Sequence, residues 1–581
     1  MKTRKIYNII MAAAMGISLM AGMTSCEDWL KEESYDFIQP DDIEDSDKGA
    51  NQWLTGSYSK LLTMFNSNNF PLIWEYDSDY LTGPSWAFGT YGAGNFQNNS
   101  MVNALWEDGY AMIHRCNYSL YKVNSMTKVS QRLKTAINGE LKFLKAWTYF
   151  QLVRAYGPIP LRKESMSETG DRNVPRSEVK DVYAYIIELL EDAETECYKN
   201  TDADYVKGHV TAGTAAGLLA KVYATMASGA MPNGTQLWVY GGKPWSGEGE
   251  GKAYTEPQKI NFTTHQLPGY DAFDAQEYYT KAYKKAQQVM DKEYGDYSLI
   301  QTYSDLWKRA NSNGSEFLWS LQPSASDTRY CEYYSYHFCG IEDGSGYIAD
   351  GLWHGQRDHW YKMVESKDLR VKEGILHRWK RGWTYEVTNK LGAFYPNTEE
   401  YRKKVENKEA PYNDDWTYLS KQFDLYYLAY TTKYLDRSDR TTTHGDAFYP
   451  LLRLADIFLI YAEAYAEVHG TDDGIALGVL NEVRERSKAT PLSLTGEGNV
   501  ADIVDFRSCV LKERSIEFAF EGDRRWDLIR WGIYVDVMNA IGGQDEMGVN
   551  KIRSEKHRLF PIPSSEIDSN TSITENNPGW S

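Results

Sequence analysis

The sequence has few cysteines. Only six occur among 581 residues, and they are widely spaced. A small fold held together by disulfides is therefore excluded. If Cys26 is set aside, an odd number of cysteines remains. Only Cys331 and Cys339 lie close enough in sequence to close a single loop with a disulfide. No pair has the spacing of a zinc finger.

Positive charge is also in deficit. The chain has 63 Lys and Arg against 81 Asp and Glu, and its formal net charge is -18. Nucleic acids and anionic lipid surfaces both bind clusters of cationic side chains. Electrostatic capture of either is disfavoured, and we expect no nucleic-acid partner.

Long apolar runs are missing beyond the N-terminus, where no segment stays apolar for the ~20 residues that span a bilayer. At the N-terminus, a basic start (Lys2, Arg4 and Lys5) precedes an uncharged stretch that ends at Ser25. The apolar core of this stretch is too short for a membrane span, so we predict that residues 1–25 are a secretory signal peptide.

The end of this segment predicts lipidation. Thr24 and Ser25 are small residues directly before Cys26, as a lipoprotein signal peptidase requires, although Met23 stands where leucine is more usual. We predict that Cys26 becomes the acylated first residue of the mature chain, which would be anchored to a membrane without spanning it. The alternative is a plain signal peptide followed by an incidental cysteine.

Motifs for catalysis are missing too. The sequence has no His-Glu-x-x-His, no Walker loop and no Gly-x-Ser-x-Gly elbow. His354 and His359 lie near Asp350 and Asp358, but their spacing fits no standard metal pattern. We therefore assign no catalytic residue, no metal site and no cofactor.

Glu513, Glu517 and Glu521 fall four residues apart on a predicted helix. Paired carboxylates serve glycosidases, but arginines such as Arg514 and Arg524 interleave with these three. Neighbouring arginines lower the pKa of a carboxyl group, which is unsuitable for a general acid at neutral pH. We interpret the group as an ion-pair network at a helix corner.

Aromatic side chains are what the sequence has in excess, with 18 Trp, 44 Tyr and 19 Phe. Rings that do not fill the core can stack on a ligand, and aromatics set among small and polar residues occur in the loop 77–100 and in the segment 311–450. We predict that these two regions form one ligand site, made of Trp86, Tyr91, Asn95, Tyr330, Tyr334, Trp353 and Arg357. Trp319 lies in an alternating, strand-like run and is assigned to packing.

Apolar residues recur at helical spacing in most of the remaining chain. The predicted helices are two within 104–156, then 178–196, 210–227, 275–292, 451–465, 475–487 and 503–521. We predict a mainly α fold of tetratricopeptide-like helical pairs, with a loop-rich, partly β insert as the ligand face. Residues 26–581 would form one unit, consisting of a scaffold at about 45–310 with an insert at 230–272, the ligand-face segment at about 311–450, and C-terminal helices and tail at 451–581.

Six motifs follow one another in order after Cys26. They are Arg154–Leu161, Gly208–Thr211, Leu452–Ala464, Leu480–Arg484, Leu511–Leu528 and Leu559–Trp580. Together they resemble the SusD/RagB family of surface lipoproteins from Bacteroidota. The resemblance covers nearly the whole mature chain, but the loops of the ligand face do not match residue by residue, so no binding residue is carried over.

The resemblance implies a helical, tetratricopeptide-based scaffold without enzymatic activity. It also implies a lipid-anchored, surface-exposed protein of the outer membrane that captures oligosaccharides or polysaccharides and forms a lid on a SusC-like TonB-dependent transporter. Two alternatives stay open. One is a lipoprotein that captures peptides or another nutrient, and the other is a glycoside hydrolase that uses loop carboxylates such as Asp350 and Asp358.

Overall fold

The computed structural model describes residues 42–66, 70–247, 253–343, 347–380, 391–396, 398–418 and 428–581. The predicted signal peptide and Cys26 lie outside these ranges, so both stay predictions. Within the described ranges, no helix is both long enough and apolar enough to cross a membrane. The proposed division of the chain into segments also stays a prediction.

The first half of the described chain is mainly helical, as the apolar periodicity predicts. Helix α5 ends where Gly157 takes a positive φ of 71° and Pro158 follows, because proline cannot continue the helical hydrogen bonds. The helices here are α1 (Asp47–Asn66), α2 (Phe70–Tyr76), α3 (Ser85–Gly92), α4 (Ser100–Ser125), α5 (Gln131–Tyr156), α6 (Met166–Thr169), α7 (Val179–Glu196), α8 (Ala212–Gly229) and α9 (Ala275–Met290).

The described part of the segment 311–450 has only short helices and strands, as expected for a segment rich in loops. Its helices, with one that shortly precedes it, are α10 (Tyr303–Leu306), α11 (Tyr334–Cys339), α12 (Asp358–Lys362), α13 (Leu369–Lys372) and α14 (Glu399–Glu406). Cys331 and Cys339 are both buried here, and no disulfide joins them.

Longer helices resume after this segment. They are α15 (Leu454–His469), α16 (Ile475–Arg486), α17 (Ile503–Glu517), α18 (Arg524–Arg530), α19 (Tyr534–Ala540) and α20 (Ser564–Ser569). Short 3₁₀ turns lie at Arg309–Asn311 and Glu555–Arg558. The three longest of these helices overlap the predicted ones, but α17 ends at Glu517, so Glu521 lies beyond the helix on which it was predicted.

The long helices pack one against the next in a continuous row. Helix α1 contacts α4, and the row continues through α5, α7, α8 and α9. Helix α9 then packs against α15, which contacts α16 and α17. The C-terminal helices therefore extend the row that the N-terminal helices begin, as expected for stacked helical pairs.

The sheets are small. The strands are β1 (Leu81–Thr82), β2 (Ile159–Pro160), β3 (Arg176–Ser177), β4 (Gln236–Gly241), β5 (Trp245–Ser246), β6 (Ala253–Tyr254), β7 (Gln258–Thr263), β8 (Phe317–Leu321), β9 (Ile341–Glu342), β10 (Ile348–Asp350), β11 (Gly355–Gln356), β12 (Arg378–Lys380), β13 (Leu391–Phe394), β14 (Thr417–Tyr418) and β15 (Tyr449–Arg453).

One strand pair closes the loop-rich segment at its base. Strand β8 begins the segment and β15 ends it, and the two pair antiparallel with Leu321 opposite Tyr449. Trp319 of β8 is buried and makes edge-on contacts with Phe143 at 5.0 Å and Trp147 at 5.5 Å between ring centroids. Its assignment to packing is confirmed, and the base of the segment is tied to α5.

The carboxylates Glu513 and Glu517 lie in a buried ion-pair network, as predicted. Glu517 accepts hydrogen bonds from Arg486, from Arg453 at 3.0 Å and from Arg370 at 3.1 Å. Burial alone would raise the pKa of Glu517, but these guanidinium groups outweigh it and hold that pKa well below its usual range. These arginines come from α13, β15 and α16, so the network fastens the loop-rich segment to the scaffold.

The arginines that sequence proximity suggested are engaged elsewhere. Arg514 pairs with Asp456 and Asp527, and Arg524 pairs with Asp79. The sequence analysis thus predicted an ion-pair network correctly, but it named the wrong arginines as the partners of the glutamates.

Candidate ligand-binding site

Two distant parts of the chain meet through a very short sheet. Strand β1 pairs antiparallel with β11, so that Thr82 lies opposite Gly355. The loop 77–100 and the loop-rich segment are thereby held side by side, as predicted. This pairing brings Trp86, in the first turn of α3, next to Trp353.

Three aromatic rings form a cluster that we call the aromatic platform, made of Trp86, Tyr336 and Trp353. The rings of Trp86 and Trp353 meet edge to face, with centroids 5.2 Å apart and an interplanar angle of 73°. Trp353 meets Tyr336 in the same manner, at 4.9 Å and 66°. Trp86 is 58% exposed, while the other two rings are partly buried. An apolar surface is thus offered to solvent and fixed by ring contacts.

The backbone around Trp353 is tightly specified. A Cβ atom on Gly83 would lie 2.3 Å from the Trp353 carbonyl oxygen, so only glycine allows β1 and the tryptophan to approach this closely. Leu352 has a positive φ of 57°, which is unfavourable for a side chain with a Cβ atom. Such conformations persist where the surrounding structure imposes them, often at binding sites.

Two buried histidines lie behind the platform. The His337 ring is 4.8 Å from the Trp353 ring and 5.6 Å from that of His354, and His354 hydrogen-bonds to the Tyr76 hydroxyl. Burial lowers the pKa of His337 to about 4 and holds the pKa of His354 well below its usual range. Both imidazoles are therefore neutral at physiological pH and act as packing support for Trp353.

We expect this support to weaken in acid. Because the pKa of His337 is lower in the folded chain than in the unfolded chain, the unfolded state gains a proton first as the pH falls below about 6.5. His337 alone should then cost about 2–3 kcal/mol of the free energy of unfolding between pH 7.5 and pH 4.5. Denaturant titrations at both pH values should show a smaller loss for His337→Gln, whereas His114→Gln, at an exposed position, should lose as much as the unchanged chain. An equal loss in all three chains would contradict the assignment.

Three of the predicted ligand contacts are wrong, because their side chains are buried. Tyr91 is 1% exposed and donates a hydrogen bond to the Ile73 carbonyl oxygen at 2.6 Å. Tyr334 is 1% exposed and donates to the Ala447 carbonyl oxygen. Arg357 is 1% exposed and donates to Glu546 at 2.5 Å.

Backbone geometry separates the two buried tyrosines from the platform. Gly89 lies between Trp86 and Tyr91 with a φ of 65° and a ψ of -167°, so α3 is kinked there and the two side chains do not share one helical face. Tyr334 and Tyr336 lie on nearly opposite faces of α11, because successive residues along a helix turn by about 100°. Tyr336, which the sequence analysis missed, therefore takes the place on the platform that Tyr334 was expected to fill. Tyr334 and Tyr336 are two residues apart in a short helix, so when one faces inward the other faces outward. This spacing was the signal that could have identified Tyr336.

The remaining two predicted residues are not joined to the platform. Asn95 is exposed in the loop after α3, and its carbonyl oxygen accepts a hydrogen bond from the Asn99 side chain. Tyr330 is partly buried, with the Arg329 guanidinium 5.5 Å from its ring centroid. Their participation in a ligand site stays a prediction.

Two further aromatic pairs lie in the loop regions and were also missed. Tyr347 and Trp416 meet edge to face at 4.5 Å, and the Arg378 guanidinium lies 5.0 Å from each ring. On the β5–β6 hairpin, Trp245 and Tyr254 stack at 4.0 Å. Because the members of each pair come from separate strands or loops, only the strand pairing of the folded chain reveals them.

The chemistry available at the platform is stacking and hydrogen bonding. Among the described residues, no three His, Cys, Asp or Glu side chains are grouped so that they could hold a metal ion. Asp350 is exposed three residues before Trp353, whereas Asp358 is bound by Lys362 at 3.1 Å and by the Tyr395 hydroxyl at 3.0 Å. An exposed carboxylate and three rings are suited to binding a ligand by hydrogen bonding and stacking.

Two family sequence profiles match this chain. The profile described as the SusD family matches residues 260–580, and one described as "Starch-binding associating with outer membrane" matches residues 28–224. Together they span nearly all of the chain that follows Cys26.

Individual relatives agree with these matches. The SusD-like protein P25 of Formosa agariphila is 24% identical, over 98% of this chain and 98% of its own length. A solved SusD homologue from Bacteroides thetaiotaomicron shares the fold with a TM-score of 0.70 at 22% identity, over 93% of this chain and 98% of that one. A laminarin-binding SusD-like protein gives a TM-score of 0.63 at 19% identity, over 92% of this chain and 100% of that one. The mainly α fold and the resemblance drawn from the six motifs are thereby confirmed, and the chain belongs to the SusD family.

Proposed function

We propose that this protein is a non-catalytic binding protein for oligosaccharides or polysaccharides at the cell surface. The observation that carries the proposal is the aromatic platform, whose exposed Trp86 and supported Trp353 offer apolar ring surfaces at the junction of two loop regions. Sugar rings present flat C–H faces that stack on such surfaces, while nearby polar groups bind their hydroxyls. The starch-binding description of one matching family and the laminarin-binding relative support the same ligand class.

The ligand class can be tested directly. Residues 27–581, produced as a soluble protein, should be screened on an array of glycans that includes starch and laminarin, and each binding partner measured by calorimetry. We expect saturable binding of at least one glycan and no release of reducing ends during long incubation. Failure to bind any glycan, with binding of peptides instead, would replace the proposal by the peptide-capture alternative.

The glycoside hydrolase alternative is disfavoured by the position of the two carboxyl groups with strongly raised pKa values. Burial raises the pKa of Glu75 to about 8 and that of Glu332 to about 7, a range that suits a general acid. Both side chains are fully buried among protein partners, so neither can contact a sugar.

We further propose that the protein is held at the outer membrane through Cys26 and delivers its ligand to a SusC-like TonB-dependent transporter. The basic N-terminus, the small residues before Cys26 and the family membership support this arrangement. Co-purification of the transporter with the tagged protein from host membranes would test the partnership.

Lipidation gives a separate expected result. Mass spectrometry of the intact protein from its host should show loss of residues 1–25 and an acylated Cys26, with more than one acyl chain because a single chain binds membranes only marginally. Cys26→Ser should release the protein from the membrane fraction. A mature N-terminus at another residue would contradict the assignment.

A further inference from the structure

A cavity lies within the helical scaffold. It has a volume of about 900 Å³ and lies between the C-terminal end of α5, helices α8, α15 and α18, the loop 267–272 and the tail 575–579. It shares no lining residue with the aromatic platform. Its volume is that of a small-molecule site.

The lining of this cavity is more cationic than the chain as a whole. Eight Lys and Arg side chains line it against six Asp and Glu, in a protein whose net charge is -18. Some of these cations are neutralised, as Lys221 is by Asp456 at 2.8 Å and Asp523 at 2.7 Å. Two others, Arg154 and Arg176, have no carboxylate within 4 Å among the described residues.

Arg154 is held in place by neutral groups. Its guanidinium lies 4.2 Å from the Phe150 ring centroid and 4.7 Å from that of Trp526. Its Nε donates to the Phe150 carbonyl oxygen at 3.3 Å, and an Nη donates to the Gln151 side chain. Burial lowers the pKa of Arg154 only to about 10, so the group stays charged at neutral pH.

Arg176 is oriented in the same way. Its Nε donates to the Pro158 carbonyl oxygen at 2.8 Å, and an Nη donates to the side-chain oxygen of Asn577. These acceptors are uncharged, so they position the guanidinium without neutralising it. Two preorganised guanidinium groups thus line one cavity, each with donors in a planar fork that suits carboxylate, sulfate or phosphate groups.

The rest of the cavity wall is suited to the apolar part of a ligand. Aliphatic side chains from six separate parts of the chain contribute to its wall, namely Val153, Val179, Leu267, Ile460, Ile529 and Leu559. A neutral sugar, covered with hydroxyl groups, would leave these side chains poorly matched. An amphipathic ligand would satisfy both parts of the lining.

We propose that this cavity binds an organic anion, in which a carboxylate, sulfate or phosphate group is joined to an apolar body of small-molecule size. The guanidinium groups of Arg154 and Arg176 bind the anionic group, and the aliphatic wall takes up the body. The site is independent of the glycan-binding function proposed above.

A matched pair of fluorescent probes tests this proposal. Anilinonaphthalene sulfonate carries a sulfonate on an apolar body, and N-phenyl-1-naphthylamine has nearly the same body without the charge. We expect the unchanged protein to bind the sulfonate at least about tenfold more tightly than the neutral probe. Arg154→Gln and Arg176→Gln should each remove most of this preference and leave the neutral probe's affinity unchanged.

Three controls separate the site from general charge effects. Arg154→Lys should retain most of the preference, because it keeps the positive charge. Arg329→Gln removes an exposed arginine outside the cavity, and Trp86→Ala disrupts the platform, so both should bind the sulfonate like the unchanged protein. Equal affinity of the unchanged protein for the two probes would overturn the proposal, as would full sulfonate affinity in both glutamine variants. The first of these outcomes needs no variant, so the test stands even if a variant fails to fold.

Discussion

Replacing Trp86 and Trp353 together with alanine should lower the affinity for the cognate glycan by about thirtyfold or more. Each ring that stacks on a sugar is expected to contribute about 1–3 kcal/mol, or roughly fivefold to 150-fold in affinity, and the two rings contact each other at 5.2 Å. Calorimetry with the glycan identified on the array measures the loss, first for each single variant and then for the pair.

A matched control uses an aromatic residue with similar exposure on the scaffold. Tyr121, on α4, is 42% exposed and is not part of the platform, so Tyr121→Ala should bind the glycan like the unchanged protein. Circular dichroism should be unchanged in all variants, because Trp86 does not hold the helices. Unaltered affinity in the double variant would place the glycan elsewhere, for example on the Tyr347 and Trp416 pair.

Glu517→Gln should be the most destabilising of the substitutions considered. It removes one charge from a network in which Arg370, Arg453 and Arg486 are all buried, and it leaves these cations without full compensation. Breaking a buried ion pair from one side costs about 3–5 kcal/mol of the free energy of unfolding. Chemical denaturation measures this loss, and glycan affinity under native conditions should stay close to that of the unchanged protein.

Glu485→Gln is the matched control, since Glu485 is an exposed glutamate on α16. Its unfolding free energy should lie within about 0.5 kcal/mol of the unchanged value. Loss of glycan binding without loss of stability in Glu517→Gln would show that the carboxylate acts on the ligand and not on the fold.

The same network should make the folded protein less stable in acid. The pKa of Glu517 is lower in the folded chain than in the unfolded chain, so its stabilisation is fully present above about pH 4.3 and is lost as the pH falls further. The contribution of His337 is lost at higher pH, between about 6.5 and 4. Stability should therefore decline in two stages on acidification, and each substitution should remove one of them.

The helices could be predicted from the sequence because each one is determined by the spacing of apolar residues within its own stretch of the chain. The apolar spacing of residues such as Phe143, Trp147 and Phe150 fixes both the existence of α5 and its buried face. The strand at Phe317–Leu321 was recognisable for the same reason. An ion-pair network was also predictable, because four-residue spacing on a helix places Glu513 next to Glu517 and arginines interleave with them in the sequence.

The candidate ligand site was less predictable, because it depends on the pairing of two strands, β1 and β11, that are only two residues long. Nothing local shows that Thr82 pairs with Gly355, and without that pairing Trp86 has no reason to meet Trp353. Sequence composition could mark a loop as aromatic but not choose between Tyr334 and Tyr336, which a short helix turns in opposite directions. Arg357 is not available to a ligand because it donates a hydrogen bond to Glu546, which lies 189 residues further along the chain.

The pairing of β8 with β15 has a consequence for how such a protein can diversify. Because Leu321 and Tyr449 are neighbours across two strands, the loop-rich segment begins and ends at one place on the scaffold. Between those ends, Arg370 pairs with Glu513 and Arg357 pairs with Glu546, so the segment is fastened to the rest of the chain at further points. Lengthening a loop that lies between these contacts costs a loop-closure entropy that grows by only about 0.6 kcal/mol for each doubling. Selection can therefore change the loops of this face in size and chemistry while these contacts and the helical row are kept. Trp86 lies outside the segment, so altered loops would still adjoin that tryptophan.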